Sequence, residues 1–285
     1  MTELNIRDDI TLPARRIISL APSITEILFF LGLGKHVAGV TAQCDFPGSA
    51  QRKNTIGSFL KPDIKSIEAL SPDMIIGLKD LHENIPDMVD SGYTGCIMFD
   101  YRSVSGVLDA MELVAGIAED IKTASGRVAS LRQRVRNVQT EVSARPAVRA
   151  LFMMYDEPVY TPGCGSYQFD ALKIAGAVQM PYNNAQYERV SVEQVIDFDP
   201  EVVFACGRHR DELPRKVCSG CQAENPICLR IVDDIGIRPG WRDTTAARNN
   251  RIIAMPCDWL CRAGPRLVDG IEKIAQILSG INAER

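Results

Sequence analysis

Cys218 and Cys221 are separated by two residues, the spacing at which two thiolates on one tight turn both face a metal ion. They lie in CGRHRDELPRKVCSGCQAENPIC, residues 206–228, together with Cys206, His209 and Cys228, and Cys257 and Cys261 follow. A closed zinc or iron–sulfur site needs four ligands, and no second C-x-x-C is present. Cys228, Cys257, Cys261 or His209 would have to complete the set by folding together; otherwise the thiols remain uncoordinated. Both readings stay open. The chain has nine cysteines, an odd number scattered without the dense spacing of a disulfide scaffold, which favours a reducing compartment.

Other chemistry finds less support. No G-x-x-x-x-G-K-[ST], G-x-G-x-x-G or G-x-S-x-G occurs, so neither a phosphate cradle nor a nucleophile elbow is indicated. Asp156 and Glu157 follow an apolar run, where acid–base work is conceivable, but nothing nearby offers a partner. An enzyme is not expected. Cys44 in CDFP and Cys164 in TPGCG are either small apolar filler or thiols able to coordinate a metal. Of three histidines (His36, His82 and His209), only His209 sits at an expected strand end.

The formal charge of −4 gives no electrostatic reason to expect nucleic acid. The basic run GRVASLRQRVR reads as one solvated helix face. The longest apolar run, ILFFLGLG, is far too short to span a bilayer. The first residues, MTELNIRDDITLPARR, mix both charges and lack the apolar core of a secretory signal. A cytoplasmic protein is expected as the sequence stands, or an extracytoplasmic one from which a leader has been removed.

The elements that would position these residues come from an internal repeat. IEALSPDMIIGL returns as VIDFDPEVVFACG, and a shift of 128 positions places Phe59 on Tyr187 and Lys65 on Glu193. Each copy reads as a short amphipathic helix, a proline-acid turn and a buried strand. Upstream, RRIISLAPSITEILFFLGLG reads as strand, loop and a helix closed at Gly32 or Gly34. VRALFMMYDEPVYTPGCGSYQFDALKIAGA reads as strand, longer loop and a helix from near Ser166 to Gly176. This alternation predicts two doubly wound α/β lobes with parallel sheets. Between them, residues 103–143 contain no proline and keep apolar residues at helical spacing, which predicts one long rigid helix of about forty residues. The expected organisation is an N-terminal lobe over 1–102, a linking helix over 103–143, and a C-terminal lobe over 144–285 carrying the cysteine-rich insertion. Ligand sites in open α/β sheets lie beyond the carboxyl ends of strands and at domain interfaces, so a cleft between the lobes is the expected site.

Several segments resemble one family in order. RIISLAPSITEILFFLGLGKHVAGVT, CDFP and IGSFLKPDIKSIEALSPDMIIG are similar to the cobalamin and iron-siderophore class of ABC-transporter substrate-binding proteins. TPGCGSYQFDALKIAGA, YERVSVEQVIDFDPEVVFACG, RPGWRDTTAARNNRIIAM and AGPRLVDGIEKIAQIL continue the likeness, which spans Arg16 to Leu278. CDFP and GPRLVDGIEKIAQIL look most like the cobalamin-binding branch.

The resemblance implies non-catalytic capture of a corrinoid, or alternatively an iron-siderophore or other metal chelate, by a monomer that serves an ABC permease or, as the sequence stands without a signal, acts as a cytoplasmic carrier on the same scaffold. It implies ligand contacts from Phe59 and Tyr187, from Phe46, and from Trp241 and Trp259 in C-terminal loops. Aromatic faces suit a broad, largely apolar macrocycle. For permease docking it implies an acidic residue on each lobe. Glu193 matches the second position, whereas Lys65 reverses the charge at the first and opposes docking there. Heme-binding relatives carry a tyrosine where this chain has Ser58, which argues against heme held in that way. The cysteine-rich insertion departs from the family and keeps a zinc or iron–sulfur protein on the same scaffold as a further alternative.

Overall fold

The computed structural model describes residues 3–5, 13–89, 95–180, 183–212 and 229–285. Its contacts divide the chain into two compact units. Unit 1 comprises Met1–Tyr101, Ser105–Arg132 and Ala263–Pro265; unit 2 comprises Arg102–Val104, Gln133–Arg262 and Arg266–Arg285.

Unit 1 contains β1 (Glu3–Asn5), β2 (Ile17–Ser19), α1 (Pro22–Phe30), β3 (Val37–Val40), β4 (Asn54–Thr55), α2 (Ile64–Ala69), β5 (Met74–Leu78), α3 (Lys79–His82), α4 (Ile85–Met88) and β6 (Gly95–Phe99). Its sheet has the order β1-β6-β5-β2-β3-β4, with only β1 antiparallel to its neighbour. The central strands IIS, MIIGL and GCIMF are near-continuous apolar runs, as a sheet covered by helices on both faces requires. Ile18, Leu20, Ile56, Ile67 and Ile75 fill the core beside them. Pro22 opens α1 at a position where its missing N–H costs nothing, and Gly32, at φ +89°, follows the helix end as expected.

The single helix expected over 103–143 is two helices, α5 (Val104–Ala115) and α6 (Ile121–Val142). At Gly116 the ladder tightens: its N–H is shared between the Glu112 and Leu113 carbonyls, and Ile117 and Ala118 bond three residues back. Asp120 then opens α6, its Oδ1 accepting from the Thr123 N–H at 3.0 Å. Ile117 and Ala118 remain buried through the interruption, so the apolar spacing runs on across it. The contact division falls within α6, between Arg132 and Gln133, instead of at the ends of the segment. Arg132 pairs with Asp109 of α5 within unit 1.

Unit 2 contains β7 (Val148–Met153), β8 (Tyr155–Asp156), β9 (Val159–Pro162), α7 (Tyr167–Ile174), β10 (Ala177–Val178), β11 (Tyr187–Val190), α8 (Val192–Phe198), β12 (Val202–Cys206), α9 (Thr245–Arg248), β13 (Ile252–Met255), α10 (Cys257–Leu260) and α11 (Arg266–Ala283). Four strands form a parallel sheet in the order β10-β7-β12-β13. The longer loop expected after β7 instead contributes β8 and β9, which form an antiparallel sheet with β11. The helix α11 buries Leu267, Ile271, Ile274, Leu278 and Ile281 at helical spacing. Arg134 of α6 forks onto Asp269 and Glu272 of α11 at 2.5 and 2.6 Å.

The repeat survives residue by residue. Shifted by 128, α2 starts on α8, β5 starts on β12, and the caps Asp63 and Ser191 coincide. Ser71 (φ 43°) and Asp199 (φ 46°) both take the left-handed conformation at the same point of the turn.

Candidate functional site

In unit 1, Phe59 is held in a built loop. Ser58 and Lys61 exchange backbone hydrogen bonds at 3.1 Å, so Phe59 and Leu60 form the tip of a tight turn. Gly57 makes this possible: it sits at φ +87°, and a Cβ there would meet Asp63 N at 2.6 Å and Lys61 O at 2.7 Å. The Phe59 N–H donates to Gln43 Oε1 at 2.7 Å. Its carbonyl is held by His82 Nε2 at 2.8 Å, and the His82 Nδ1 accepts the Leu78 N–H at 3.0 Å. The Leu78 donor fixes the tautomer, with the proton on Nε2. The two rings also meet edge to face, with centroids 5.5 Å apart. His82 is fully buried, and burial lowers its pKa although the bond to Phe59 works the other way. Sequence reading passed over His82, because its value lies in two backbone partners that no spacing reveals.

Phe46 is 46% exposed, whereas Cys44 beside it is buried. Cys44 Sγ accepts from the Thr25 hydroxyl at 3.0 Å and lies 3.3 Å from that of Thr41. Its place is in the packing below the loop.

In unit 2, Tyr187 is 45% exposed on β11. It pairs with Pro162, Arg189 pairs with Tyr160, and Tyr160 pairs with Tyr155. Because alternate residues share a face, Tyr155, Tyr160, Tyr187 and Arg189 all project from one side of this small sheet. Val159, Thr161 and Val190 are buried on the other. The Tyr155 and Tyr160 rings meet edge to face at 6.3 Å. Gln168, buried in the first turn of α7, reaches the Tyr187 hydroxyl with its Nε2 at 3.4 Å. The tyrosines of β8 and β9 were missed in the sequence; their signal was the alternation in YDEPVYTP around Glu157-Pro158. The two glycines of TPGCGS also find their reason here. Gly163 and Gly165 donate to the Gln186 and Ala185 carbonyls, and a side chain on Gly163 would strike Ala185 O. The glycines permit close approach of the 183–187 segment.

Trp241, expected at the ligand, is only 3% exposed and packs in the core of unit 2 with Val195, Val232, Ile235 and Ala246. That expectation is corrected: a large indole buried among aliphatic side chains has no face left for a ligand. Trp259 is half-buried on α10, with Lys273 Nζ 5.4 Å from its ring centroid. Lys65 and Glu193 are both exposed at the second positions of α2 and α8. A hydrogen bond from the Ser191 hydroxyl lowers the pKa of Glu193.

Cys218, Cys221 and Cys228 lie outside the described residues. Among the described residues, no group of three or more His, Cys, Asp or Glu side chains could hold a metal ion. Both ring nitrogens of His209 have hydrogen-bond partners. Nδ1 donates to Asp233 Oδ1 at 3.1 Å, and Nε2 accepts the Ala254 N–H at 3.3 Å. Burial opposes the Asp233 carboxylate, but bonds from His209 and Arg210 outweigh it and lower its pKa. Cys257 opens α10 and Cys261 follows its last residue, with Cys261 Sγ 3.8 Å from Cys206 Sγ.

A profile of the periplasmic binding protein family matches residues 17–258 of the chain, most of both units. The chain belongs to the periplasmic binding protein family.

Several binding proteins are similar to it over most of their length. The vitamin B12-binding protein of Vibrio cholerae is 24% identical, with 93% of this chain and 90% of the relative aligned. An ABC transporter substrate-binding lipoprotein of Bacillus subtilis, YvrC, is 22% identical over 92% of this chain and 79% of its own. Among solved structures, the periplasmic vitamin B12-binding protein BtuF of Vibrio cholerae superposes with a TM-score of 0.77 at 23% identity, covering 96% of this chain and 100% of that one. The periplasmic heme-binding protein RhuT of Roseiflexus gives 0.73 at 22%, covering 93% and 98%. At these identities the structural likeness establishes the shared fold. Among the described residues, no helix is long and apolar enough to cross a membrane.

Proposed function

We propose that this periplasmic binding protein is a non-catalytic, ABC-transporter-type binding protein for a corrinoid, with Phe59 of unit 1 and Tyr187 of unit 2 as principal ligand contacts. The observation that carries the proposal is the face of Tyr155, Tyr160, Tyr187 and Arg189. Three phenol rings left in water on a sheet whose other side is core offer area for a flat, largely apolar ligand at small entropic cost. Phe59 adds a second aromatic contact on a loop whose backbone is fixed at both its N–H and its carbonyl. Phe46 and Trp259 are supporting contacts. The similarity to vitamin B12-binding proteins favours a corrinoid.

An iron-siderophore or other ferric chelate is the second reading, and the same tyrosines favour it because phenolate oxygen is a ligand for ferric iron. Delivery to an ABC permease would use Glu193 on unit 2, while Lys65 at the equivalent position of unit 1 would repel a basic partner surface. Equilibrium dialysis against cyanocobalamin, heme and a ferric hydroxamate separates these readings. Retention of the corrinoid alone supports the first, retention of the hydroxamate alone supports the second, and retention of none removes both.

A further inference from the structure

We infer that Cys206 and Cys261 form a thiol–disulfide exchange site, independent of the ligand chemistry proposed above. Cys206 is the last residue of β12, and Cys261 follows α10, 55 positions later in sequence. Their sulfurs lie 3.8 Å apart, in van der Waals contact, so no atom intervenes and a bond requires a closing movement of under about 2 Å. Both backbones are anchored. The Cys261 N–H donates to Cys257 O at 2.8 Å, and the Arg230 guanidinium donates to Cys206 O at 3.0 and 2.6 Å.

Exposure assigns the order of events. Cys261 is partly exposed and Cys206 is buried. The Cys261 thiolate attacks one sulfur of a small disulfide such as glutathione disulfide, forming a mixed disulfide and releasing one glutathione thiolate. The Cys206 thiolate then attacks the Cys261 sulfur, the Cys206–Cys261 bond forms, and the second glutathione thiolate leaves. Two protein thiols are oxidised, one small disulfide is reduced to two thiols, and the two cysteine protons pass to the leaving thiolates.

The test equilibrates the full chain with glutathione disulfide, alkylates the remaining thiols and maps the peptides by mass spectrometry. A peptide joining Cys206 to Cys261 is expected. It should vanish in Cys261→Ser, a partly exposed site that tolerates the change, and persist in Cys257→Ser. Oxidation should raise the melting temperature of the wild type by about 5 °C or more, and the rise should be absent in Cys261→Ser. Alkylation of both Cys206 and Cys261 in the oxidised sample, or linkage of Cys261 to any other cysteine, would overturn the assignment.

Discussion

His82 and Phe59 are joined through both backbone and ring: His82 Nε2 donates to the Phe59 carbonyl at 2.8 Å while the two rings meet edge to face at 5.5 Å. The same imidazole accepts the Leu78 N–H, so one buried side chain ties the end of β5 to the loop that presents Phe59. His82→Ala strands the part-buried Leu78 N–H and Phe59 carbonyl and removes the ring contact. It should destabilise unit 1 by about 2–4 kcal/mol, read as a lower denaturation midpoint. His82→Gln, which can keep one of the two bonds, should lose less.

The same residue sets a pH dependence. Burial holds the His82 pKa below its ordinary value near 6.5, so below that pH the unfolded chain takes up a proton that the folded chain refuses. Stability from this group is therefore complete above about pH 6.5 and declines as the pH falls toward the depressed folded value. Urea midpoints measured from pH 8 to pH 5 should fall in the wild type and fall less in His82→Gln. Equal slopes in both would show that the imidazole is not the titrating group.

Tyr187→Ala and Phe59→Ala should each weaken cobalamin by about 1–2 kcal/mol, roughly five- to thirtyfold, with unchanged circular dichroism. Tyr160→Ala, on the same face as Tyr187, should act in the same direction. Trp241→Ala should behave differently: it empties a core site and should cost about 3–5 kcal/mol of stability.

The two left-handed residues of the repeat also separate. Ser71→Gly relieves a strained backbone and should leave stability between unchanged and about 1 kcal/mol higher. Asp199→Gly relieves similar strain but deletes hydrogen bonds from the Thr245 N–H and hydroxyl, at 2.6 and 2.7 Å, and should be destabilising by about 1–3 kcal/mol. Thermal melts of both variants check the contrast.

Why one part of this architecture could be read from the sequence and another could not has a physical cause at each place. The duplicated helix–turn–strand was legible because burial imposes the same apolar pattern on both copies, down to the shared start of β5 and β12 under the 128-residue shift. Ser166 and Gly176 bounded α7 as expected because caps satisfy orphan backbone groups locally. The break between α5 and α6 was hidden, since Ile117 and Ala118 stay buried through a tightened turn and preserve the apolar rhythm. Trp241 was misread because an indole in a loop sequence carries no mark of the core it joins beside the short 3₁₀ turn Val232–Asp234. His82 and the Tyr155–Tyr160 pair depend on cross-strand and loop partners, which periodicity along one segment does not report.

Calorimetric titration of the wild-type chain with cyanocobalamin, repeated on the Phe59→Ala/Tyr187→Ala double variant, tests the central claim most directly. Saturable binding of one corrinoid per chain at micromolar affinity or tighter, about −8 kcal/mol, lost in a double variant that still folds, is the predicted result. Absence of binding at millimolar cobalamin, or equal affinity in the double variant, would contradict it.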